Sequence, residues 1–464
     1  MGRLSAHGPS AFVAFGLFAA LSTTAQTTFT VGNTEIEATE VVTGLDVPWD
    51  LVLGPDGWIW FTQLHGVVSR LDPATGEVQV LYTEPQVFVT PLSGGLHSLA
   101  FHPDFANHPL VYLHYLTSGT TSVVRRYLWD ADAHTLTPEA QPILDLHAGP
   151  SHNGSRIVID DAGMMLISLG EAMSHSADAQ NLNETYGKVL RFDPDGGIPA
   201  DNPIPDSYVY SWGHRNPQGL VHAPNGVLYA SEHGQANDDE VNIIEPNRNY
   251  GWPTVAGLCN TASEITFCNA NNVREPIHEF TAEVVAPSGL DYFNNPSVPE
   301  WQSSLLVATL RGRELHQLKL NAAEDDVVEE HIFLDGTYGR LRDVLVMPDG
   351  RIFLCTSNHD YTGSSNPIND KIIVLTPHPL STGVEAVGTS TNVRVYPNPV
   401  SDRLTVEASG AWRLTVRDVS GRVVLQQRAA NTTQVDVSPL APGVYRSTVE
   451  QGVQRTTASF VIQR

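Results

Sequence analysis

The stretch Trp49-Asp-Leu-Val-Leu-Gly-Pro-Asp-Gly-Trp-Ile-Trp-Phe61 places two apolar runs on either side of a Pro-Asp-Gly turn. Asp-Gly favours the positive backbone angles of a tight hairpin, while β-branched and aromatic residues favour paired strands. The stretch therefore predicts a β-hairpin.

The same pattern recurs five more times, at intervals of roughly 50 to 70 residues. One hairpin cannot bury both of its faces, so regularly spaced copies indicate radial packing as the blades of a propeller. A stacked β-sandwich is the structural alternative. The pattern predicts an all-β protein built as a six-bladed β-propeller. The further copies are Leu99-Ala-Phe-His-Pro-Asp-Phe with Leu110-Val-Tyr-Leu, Arg156-Ile-Val-Ile-Asp-Asp-Ala-Gly-Met-Met-Leu-Ile167, Gly219-Leu-Val-His-Ala-Pro-Asn-Gly-Val-Leu-Tyr229, Gly289-Leu-Asp-Tyr-Phe with Leu305-Leu-Val-Ala, and Asp343-Val-Leu-Val-Met-Pro-Asp-Gly-Arg-Ile-Phe-Leu354.

Composition changes after the sixth copy. We predict a propeller over residues 40–376, a turn-rich linker over 377–391 and a small C-terminal β-sandwich domain over 392–464. The last segment contains, in order, Tyr396-Pro-Asn-Pro399, Gly421-Arg-Val-Val424 and Pro442-Gly-Val-Tyr445. With these motifs it resembles the C-terminal sorting domain of the type IX secretion system of Bacteroidota. A generic β-sandwich binding module is the alternative.

The charge and the N-terminus restrict the partners and the compartment. The chain has 464 residues, with 26 basic and 51 acidic side chains and a net charge of -25. Such a charge repels phosphate backbones, so nucleic acid is not expected as a partner. The apolar run Ala11–Leu21 is too short to span a bilayer, and residues 1–25 match a signal peptide. We expect a secreted or cell-surface protein with no membrane insertion.

The three cysteines agree with an exported chain. Cys259 and Cys268 flank a short polar segment and can close a disulfide in an oxidising compartment. Cys355 lies in an apolar run, where a buried, inert thiol is the better interpretation.

Four segments beside the hairpins carry candidate functional residues, because propeller ligands bind where loops converge on the axis. His152 lies before a strand and can act as a general base. Arg215 and Asn216 can polarise a carbonyl or bind a carboxylate, with a loop salt bridge as the alternative. In the segment Ser231–Asn242, three successive carboxylates at residues 238–240 lie beside a Gly-containing turn, which suits calcium or merely a solvated acidic turn. Three arginines at blade edges can hold a polyanion or form ion pairs: Arg311, Arg340 and Arg342.

Six motifs occur in order along the propeller segment: Gly95-Leu-His-Ser-Leu-Ala-Phe-His-Pro-Asp-Phe105, Gly187-Lys-Val-Leu-Arg191, Ile198-Pro-Ala-Asp-Asn-Pro203, Gly213-His-Arg-Asn-Pro-Gln-Gly219, Asn249-Tyr-Gly-Trp-Pro253 and Arg340-Leu-Arg-Asp-Val344. With these motifs, residues Gly44–Leu375 resemble the soluble PQQ-dependent glucose dehydrogenase and aldose sugar dehydrogenase family.

The resemblance implies oxidation of an aldose sugar at the anomeric carbon, with pyrroloquinoline quinone (PQQ) and Ca²⁺ as cofactors. It makes His152 the general base and Arg215 the group that polarises the quinone carbonyl. It implies cofactor contacts by Asn216, His233, Arg311, Arg340 and Arg342. It further implies that the backbone carbonyls of Gly234 and Gln235 bind the calcium.

Five positions depart from the glucose-oxidising members. Ser93 stands where they have Gln, Ser151 where Asp precedes the base, and Arg311 where they have Lys. His233 replaces a cofactor-contacting Gln and resembles the broader aldose dehydrogenases, so we expect no narrow glucose preference. Gln235 replaces a Pro, which predicts a less rigid calcium loop.

Two further classes of function are weighed against the enzyme. A non-catalytic propeller of the same superfamily can bind partners at the cell surface, as in the hedgehog-interacting relatives. A calcium-dependent hydrolase would need acidic ligands at the axis, where these blades offer mostly Arg and His. Retention of His152, Arg215 and the three arginines together favours the enzyme. Its expected partners are an aldose sugar, an external electron acceptor and the type IX secretion machinery.

Overall fold

The computed structural model describes residues 27–280, 284–360, 369–379, 393–408, 410–418, 422–451 and 454–464. The chain divides into two compact units, Met1–His378 and Pro379–Arg464. The predicted signal peptide lies outside the described residues, and so does the predicted linker from residue 380 to residue 391.

The first unit consists of six mainly antiparallel sheets, here called blades 1 to 6. Two strands precede blade 1: β1 (Thr27–Val31) and β2 (Thr34–Leu45). Blade 1 contains β3 (Pro48–Leu53), β4 (Ile59–Gln63), β5 (Val67–Leu71) and β6 (Val78–Thr83). Blade 2 contains β7 (Leu96–Phe101), β8 (Leu110–Leu116), β9 (Thr121–Asp130), β10 (Thr135–Pro138) and β11 (Leu144–His147). Blade 3 contains β12 (Ile157–Ile159), β13 (Met165–Leu169), β14 (Lys188–Phe192) and β15 (Val209–Trp212).

Blade 4 contains β16 (Pro217–His222), β17 (Leu228–Glu232), β18 (Asp239–Ile243) and β20 (His278–Phe280). Between β18 and β20, the short strand β19 (Arg248–Asn249) pairs with β15 of blade 3. Blade 5 contains β21 (Pro287–Phe293), β22 (Ser304–Thr309), β23 (Leu315–Leu320) and β24 (Val327–Phe333). Blade 6 contains β25 (Leu341–Val346), β26 (Ile352–Thr356) and β27 (Asp370–Pro379). Two short 3-10 helices span Ser176–Gln180 and Pro299–Trp301.

The blades close into a ring, which confirms the predicted six-bladed propeller. The inner strands β3, β7, β12, β16, β21 and β25 contact one another in this order, and β25 contacts β3. The N-terminal strands complete blade 6, whose order is β1-β2-β27-β26-β25. Pairing of β2 with β27 therefore joins the two ends of the ring, which removes two exposed sheet edges.

The six repeated hairpins are the two innermost strands of the six blades. In four of them the turn glycine has a positive φ, of 79° at Gly57, 76° at Gly163, 82° at Gly226 and 89° at Gly350. Residues with a Cβ rarely adopt this conformation, which is why the Asp-Gly and Asn-Gly signals locate the turns.

One apolar cluster lies between each pair of neighbouring blades. Strand β4 shows how alternation produces this arrangement. Trp60 packs against blade 2, whereas Ile59 and Phe61 pack against blade 6. Both faces of a blade are therefore apolar, and its strands have nearly continuous buried runs. Cys355 is buried in the cluster between blades 6 and 1, as predicted.

The cysteine prediction is confirmed, because Cys259 and Cys268 form a disulfide. The segment between them is a helix, α1 (Ala262–Asn271), rather than the expected loop. Thr261 and Glu264 form a capping box at its start. The Thr-x-x-Glu spacing is visible in the sequence and is the signal that was missed. In the described part of the chain, no helix combines the length and the apolar composition that a bilayer crossing needs.

The second unit is a small β-sandwich, as predicted. One sheet has the order β28-β29-β32 and the other β31-β30-β33-β34. Their inner faces enclose an apolar core around Trp412 and Phe460. The strands are β28 (Arg394–Tyr396), β29 (Arg403–Glu407), β30 (Ala411–Arg417), β31 (Val423–Ala430), β32 (Thr433–Asp436), β33 (Gly443–Gln451) and β34 (Gln454–Ile462).

Blades 4 and 5 also share an ionic contact that predicts a pH effect. Glu330 accepts a hydrogen bond from His316 Nδ1 at 2.7 Å and lies 3.6 Å from His278 Nε2 of blade 4. His278 and His316 together lower the pKa of Glu330 from 4.5 to about 2. A carboxylate with a lowered pKa stabilises the fold above its ordinary pKa, and that stabilisation is lost as the pH falls through the lowered value.

We expect Glu330→Gln to lower Tm by about 1–3 °C at pH 6. The effect is small because Glu330 is partly exposed, which weakens its contacts with His278 and His316. The difference from the wild type should shrink between pH 4.5 and pH 2, where Glu330 itself becomes neutral. Thermal unfolding of both proteins at pH 6, 4 and 2.5 measures this. An equal difference at every pH would show that the carboxylate charge is not responsible.

Candidate active site

The candidate residues lie at one end of the propeller axis because of strand direction. In an antiparallel hairpin the start of the first strand and the end of the second lie side by side. His152, Arg215 and Arg340 precede the inner strands β12, β16 and β25. The segments around His233 and Arg311 follow the second strands β17 and β22. These loops therefore meet at the end of the axis opposite the hairpin turns.

His152 is held by a buried carboxylate. Its Nδ1 lies 2.7 Å from Oε1 of Glu171, and the two side chains are 17% and 3% exposed. The hydroxyl of Ser176 donates to the other oxygen of Glu171 at 3.0 Å. Burial raises the pKa of Glu171, but the hydrogen bonds from His152 and Ser176 outweigh burial and hold this pKa below its usual range. An ionised Glu171 accepts a hydrogen bond from the protonated Nδ1 of His152, which leaves Nε2 as the basic nitrogen.

Nε2 of His152 has no hydrogen-bond partner among the residues that the structure describes. The ring is thus oriented at one nitrogen and available at the other, which is the arrangement that a general base requires.

The loops that carry His152 and Arg215 touch through residues 170–172. The amide of Glu171 donates to the carbonyl of Arg215 at 2.8 Å, and the amide of Ala172 donates to the carbonyl of His152 at 3.0 Å. A Cβ on Gly170 would lie 2.1 Å from the His152 carbonyl oxygen. Only glycine fits between the two loops, so this residue allows the base and the arginine to lie in one pocket.

Arg215 is fixed by neighbours on blade 4. Oε1 of Glu232 accepts hydrogen bonds from the backbone amides of Arg215 and Asn216. The guanidinium donates to the carbonyl of His233 at 3.1 Å and lies 5.3 Å from the centre of the Trp252 ring. Burial lowers the pKa of Arg215, against the opposing charges of Glu171 and Glu232. Its Nε is buried without a hydrogen-bond partner in the described structure.

His233 lies at the centre of the predicted residues. Asn216 Nδ2 donates to its Nδ1 at 3.2 Å. Burial lowers the pKa of His233 well below its usual value, and the neighbouring His152 and the positive charges of Arg215, Arg342 and Arg340 lower it further. The ring is therefore neutral, with its proton on Nε2. This buried Nε2 also lacks a partner in the part of the chain that is described.

Arg340, just before β25, and Arg342, within it, share one carboxylate. Arg340 donates to both oxygens of Asp360, at 3.0 and 3.1 Å, and Arg342 donates to Oδ2. Arg342 is 1% exposed, and burial lowers its pKa to about 10. Each of its nitrogens donates to a side chain of the propeller, whereas Arg340 is only half-buried.

Arg311 is placed beside these residues by its backbone. Its amide donates to the carbonyl of Val285, and the preceding carbonyl, of Leu310, accepts from Arg340 at 3.3 Å. The Arg311 side chain is exposed and forms no hydrogen bond or ion pair with a described residue. It is therefore the basic side chain of the three that is most available to a ligand.

The loop of Gly234 and Gln235 is supported by Asp239. Oδ1 of Asp239 accepts from the Gly234 amide at 2.9 Å, and Oδ2 accepts from the amides of Val285 and Ala286. A Cβ on Gly234 would lie 2.1 Å from the carbonyl of Asp238. No described residue donates to the carbonyls of Gly234 or Gln235.

Two acidic residues of this segment have partners within the protein. Asp239 accepts from three backbone amides, and Glu240 is buried opposite Glu232 on the neighbouring strand. Burial, and then the charge of Glu232, raise the pKa of Glu240 well above its usual value. Across the described ranges, no three His, Cys, Asp or Glu side chains form a group able to hold a metal ion. The carbonyl oxygens of the loop are therefore the main candidate ligands for a cation.

Three carboxylates of the site were not singled out from the sequence: Glu171, Glu232 and Asp360. Each lies at or just after the end of the second strand of a blade. That shared position is the signal that could have identified them, because this strand end points to the axial pocket.

The propeller fold and the basic residues at one end of its axis agree with a class of protein that comparison with known proteins identifies as the sugar dehydrogenases. The family model described as Glucose / Sorbosone dehydrogenase matches residues 45–363, and the chain belongs to this family of sugar dehydrogenases. The model described as Secretion system C-terminal sorting domain matches residues 394–463.

Individual members of the family are similar to this chain over most of the propeller. The chain is 28% identical to quinoprotein glucose dehydrogenase B of Acinetobacter calcoaceticus, over 67% of this chain and 83% of the relative. It is 30% identical to the aldose sugar dehydrogenase YliI of Escherichia coli, over 67% of this chain and 87% of the relative. The PQQ-bound form of the aldose sugar dehydrogenase of Streptomyces coelicolor is 32% identical, with a TM-score of 0.64 over 74% of this chain and 98% of that chain.

Proposed function

We propose that the propeller oxidises aldose sugars at the anomeric carbon to lactones, with hydride transferred to PQQ and with Ca²⁺ as the second cofactor. The observation that supports this proposal is the His152–Glu171 pair, in which Nε2 of His152 has no partner among the described residues. His152, Arg215, Arg340 and Arg342 are all close enough to His233 to act on the pKa of its ring. The PQQ-bound relative supports the choice of cofactor.

The pocket suits a flat ligand that is rich in oxygen acceptors. Nε of Arg215 and Nε2 of His233 are buried donors without partners in the described structure, and unpaired buried donors are costly. Carboxylates and carbonyls of a ligand would satisfy them. The residues proposed to hold PQQ are Asn216, His233, Arg311, Arg340 and Arg342. When bound, PQQ supplies a two-electron acceptor for the hydride.

The protein residues then account for the proton. Nε2 of His152 takes the proton of the anomeric hydroxyl while the hydrogen on that carbon leaves as hydride, and the C1–O bond becomes the lactone carbonyl. Glu171 stabilises the imidazolium that forms, because its lowered pKa keeps it charged. The Arg215 guanidinium is held in place by the His233 carbonyl and the Trp252 ring, and it would polarise a carbonyl of the bound quinone.

Calcium is proposed to bind the backbone carbonyls of Gly234 and Gln235. Calcium accepts carbonyl oxygens readily, and these two carbonyls have no donor among the described residues. Asp239 supports the loop from behind by accepting from the Gly234 amide.

We expect Gly234→Ala to raise the Ca²⁺ concentration needed for half-maximal activity by about 10–100-fold. The added Cβ would lie 2.1 Å from the Asp238 carbonyl, so the loop must move. Gly119→Ala is the matched control, because Gly119, between β8 and β9 of blade 2, has no positive φ and an added Cβ would make only an ordinary contact with Phe88 at 3.7 Å. Equal Ca²⁺ dependence in both variants would refute the assignment of the metal loop.

The proposed function is tested with the purified full chain. Titration with PQQ in the presence of Ca²⁺ should change the absorbance of the quinone, and the loaded protein should then reduce an artificial electron acceptor with aldoses. Absence of binding and of reduction with every aldose tried would overturn the proposal and favour the non-catalytic binding propeller.

We further propose that the C-terminal unit addresses the chain to the type IX secretion system and hence to the cell surface or the medium. The sorting-domain match over residues 394–463 supports this proposal. Deletion of the residues after His378 should leave the protein inside the producing cell, and continued export of the truncated chain would contradict it.

A further inference from the structure

Beneath the candidate pocket, a stack of three buried side chains joins blades 6, 1 and 2. The guanidinium carbon of Arg342 lies 3.9 Å from the centre of the Trp49 ring. The Trp49 ring stacks on His97, with centroids 4.2 Å apart and an interplanar angle of 28°. His97 is fully buried, and Trp49 is 2% exposed.

His97 continues the chain of contacts to blade 3 through Nδ1, which lies 2.8 Å from the hydroxyl of Ser155. Its Nε2 lies 3.0 Å from the carbonyl oxygen of Ser93, in the loop before β7. Burial, followed by the neighbouring His114, lowers the pKa of His97 well below its usual value, so the ring is neutral. A carbonyl can only accept, so Nε2 donates to Ser93 and Nδ1 is left as an acceptor. The Ser155 hydroxyl is the donor to Nδ1, and its other acceptor within reach is the Asn153 carbonyl at 3.1 Å.

The circuit then closes through blades 4 and 5. Asn216 Oδ1 accepts from the Gly154 amide at 3.2 Å and from Gln218 at 3.4 Å. Gln218 in turn accepts from Arg342 at 2.7 Å, and Arg342 also reaches Ser288 at 3.4 Å. Every blade contributes a residue or its leading loop to this ring of contacts.

The circuit holds a strained loop. His152 and Ser155 have φ values of 56° and 97°, and Ser93 has 75°. Non-glycine residues adopt such values only where their surroundings impose them. The segment from His152 to Ser155 is fixed on one side by His97 and on the other by Asn216. His97 is therefore placed to set the direction in which the His152 ring leaves the backbone.

We propose that His97 is a positioning residue for His152: through Ser93 and Ser155 it holds the backbone of the two loops so that Nε2 of His152 faces the reacting carbon. This inference rests on the proposed role of His152 as base. Nothing in the sequence pattern distinguishes His97 from the apolar residues around it in β7.

Three variants separate the features of His97. His97→Phe keeps a flat ring for Trp49 but loses both hydrogen bonds, whereas His97→Gln keeps a donor and an acceptor. Ser155→Ala removes only the hydroxyl. His114→Phe is the matched control, because His114 is equally buried and lies on the next strand, and its hydrogen bond among the described residues is to Ser122. Phenylalanine keeps the ring at this position, whose centre lies 6.0 Å from that of His97.

We expect His97→Phe and Ser155→Ala to lower kcat by about 10–100-fold with little change in KM, as a small misplacement of a catalytic group does. His97→Gln should retain more activity than His97→Phe, and His114→Phe should match the wild type. In a His152→Ala background, His97→Phe should cause no further loss. An additive loss in that background would overturn the proposal, because His97 would then act independently of the base.

A measurement without cofactor distinguishes failure of this inference from failure of the proposed function. In the ¹⁵N spectrum of the apoprotein, His152 should be the tautomer with its proton on Nδ1. His97→Phe and Ser155→Ala should shift His152 toward a mixture of tautomers. Unchanged His152 signals in Ser155→Ala, which removes one hydroxyl and is therefore the safer variant for folding, would overturn the positioning role even if no sugar is oxidised.

Discussion

Replacing His152 by alanine will lower kcat for aldose oxidation by about 10²–10⁴-fold while PQQ still binds with the affinity of the wild type. The residue supplies the one basic nitrogen that is both oriented by Glu171 and open to the pocket. Alanine removes this nitrogen but leaves Arg215, His233 and the arginines of blade 6 in place. The loss should therefore appear in turnover and not in cofactor affinity.

The measurement pairs dye-coupled turnover with a PQQ titration followed by absorbance. His108→Ala is a suitable control, because His108 is 58% exposed and pairs only with Asp104 between β7 and β8. Full activity of His152→Ala would remove the base from the mechanism. Loss of PQQ binding would instead make His152 a cofactor ligand.

The second large effect is on the stability of the propeller and concerns buried charges near its axis. We expect Arg156→Ala to destabilise the propeller by about 3–5 kcal/mol, because it leaves two buried carboxylates without their cation. Nη1 of Arg156 bonds to Asp50 and, at 3.0 Å, to Asp343, and all three residues are buried. Burial and the charge of Asp50 raise the pKa of Asp343 to about 7 even with Arg156 present. Without the arginine, the cost of ionising this carboxyl rises further.

Urea unfolding monitored by tryptophan fluorescence measures the change. Arg126→Ala is the control, since its partners Glu139 and Asp195 are 37% and 88% exposed and such pairs contribute little. Adding Asp343→Asn to Arg156→Ala should recover part of the loss, because an amide oxygen can still accept from the Leu51 amide without carrying a charge. A loss no larger than that of Arg126→Ala would show that the triad is not structurally important.

The blades were predictable because hairpins are local. The Asp-Gly and Asn-Gly turns at Gly57, Gly226 and Gly350 depend on residues that are neighbours in the sequence, and the structure has hairpins at all six predicted places. The strand pairing that closes the ring was harder to predict from the sequence. The pairing of β2 with β27 joins segments more than 300 residues apart, and no local pattern encodes such a partner.

The site divides in the same way. His152, Arg215, Asn216 and Arg340 could be selected by residue type and by position beside the hairpins, whereas His233 was indicated by the family resemblance. The structure brings these five residues into one region. Their supporting carboxylates could not be selected, because Glu171 and Asp360 matter only through partners on other loops. The cofactor roles of all the predicted residues stay predictions; the Arg311 side chain is exposed, and the Arg342 side chain is bonded within the protein.

The sequence by itself determined the hairpins, their number and the strand ends that face the axis, because turn chemistry and the two-residue period of a strand act between near neighbours. Only the tertiary structure decided which carboxylate meets which base or arginine. Asp50, Arg156 and Asp343 come from blades 1, 3 and 6, and they become partners only when the ring is closed around its axis. Contacts of this kind depend on the packing of all six blades, and a linear pattern carries no record of them.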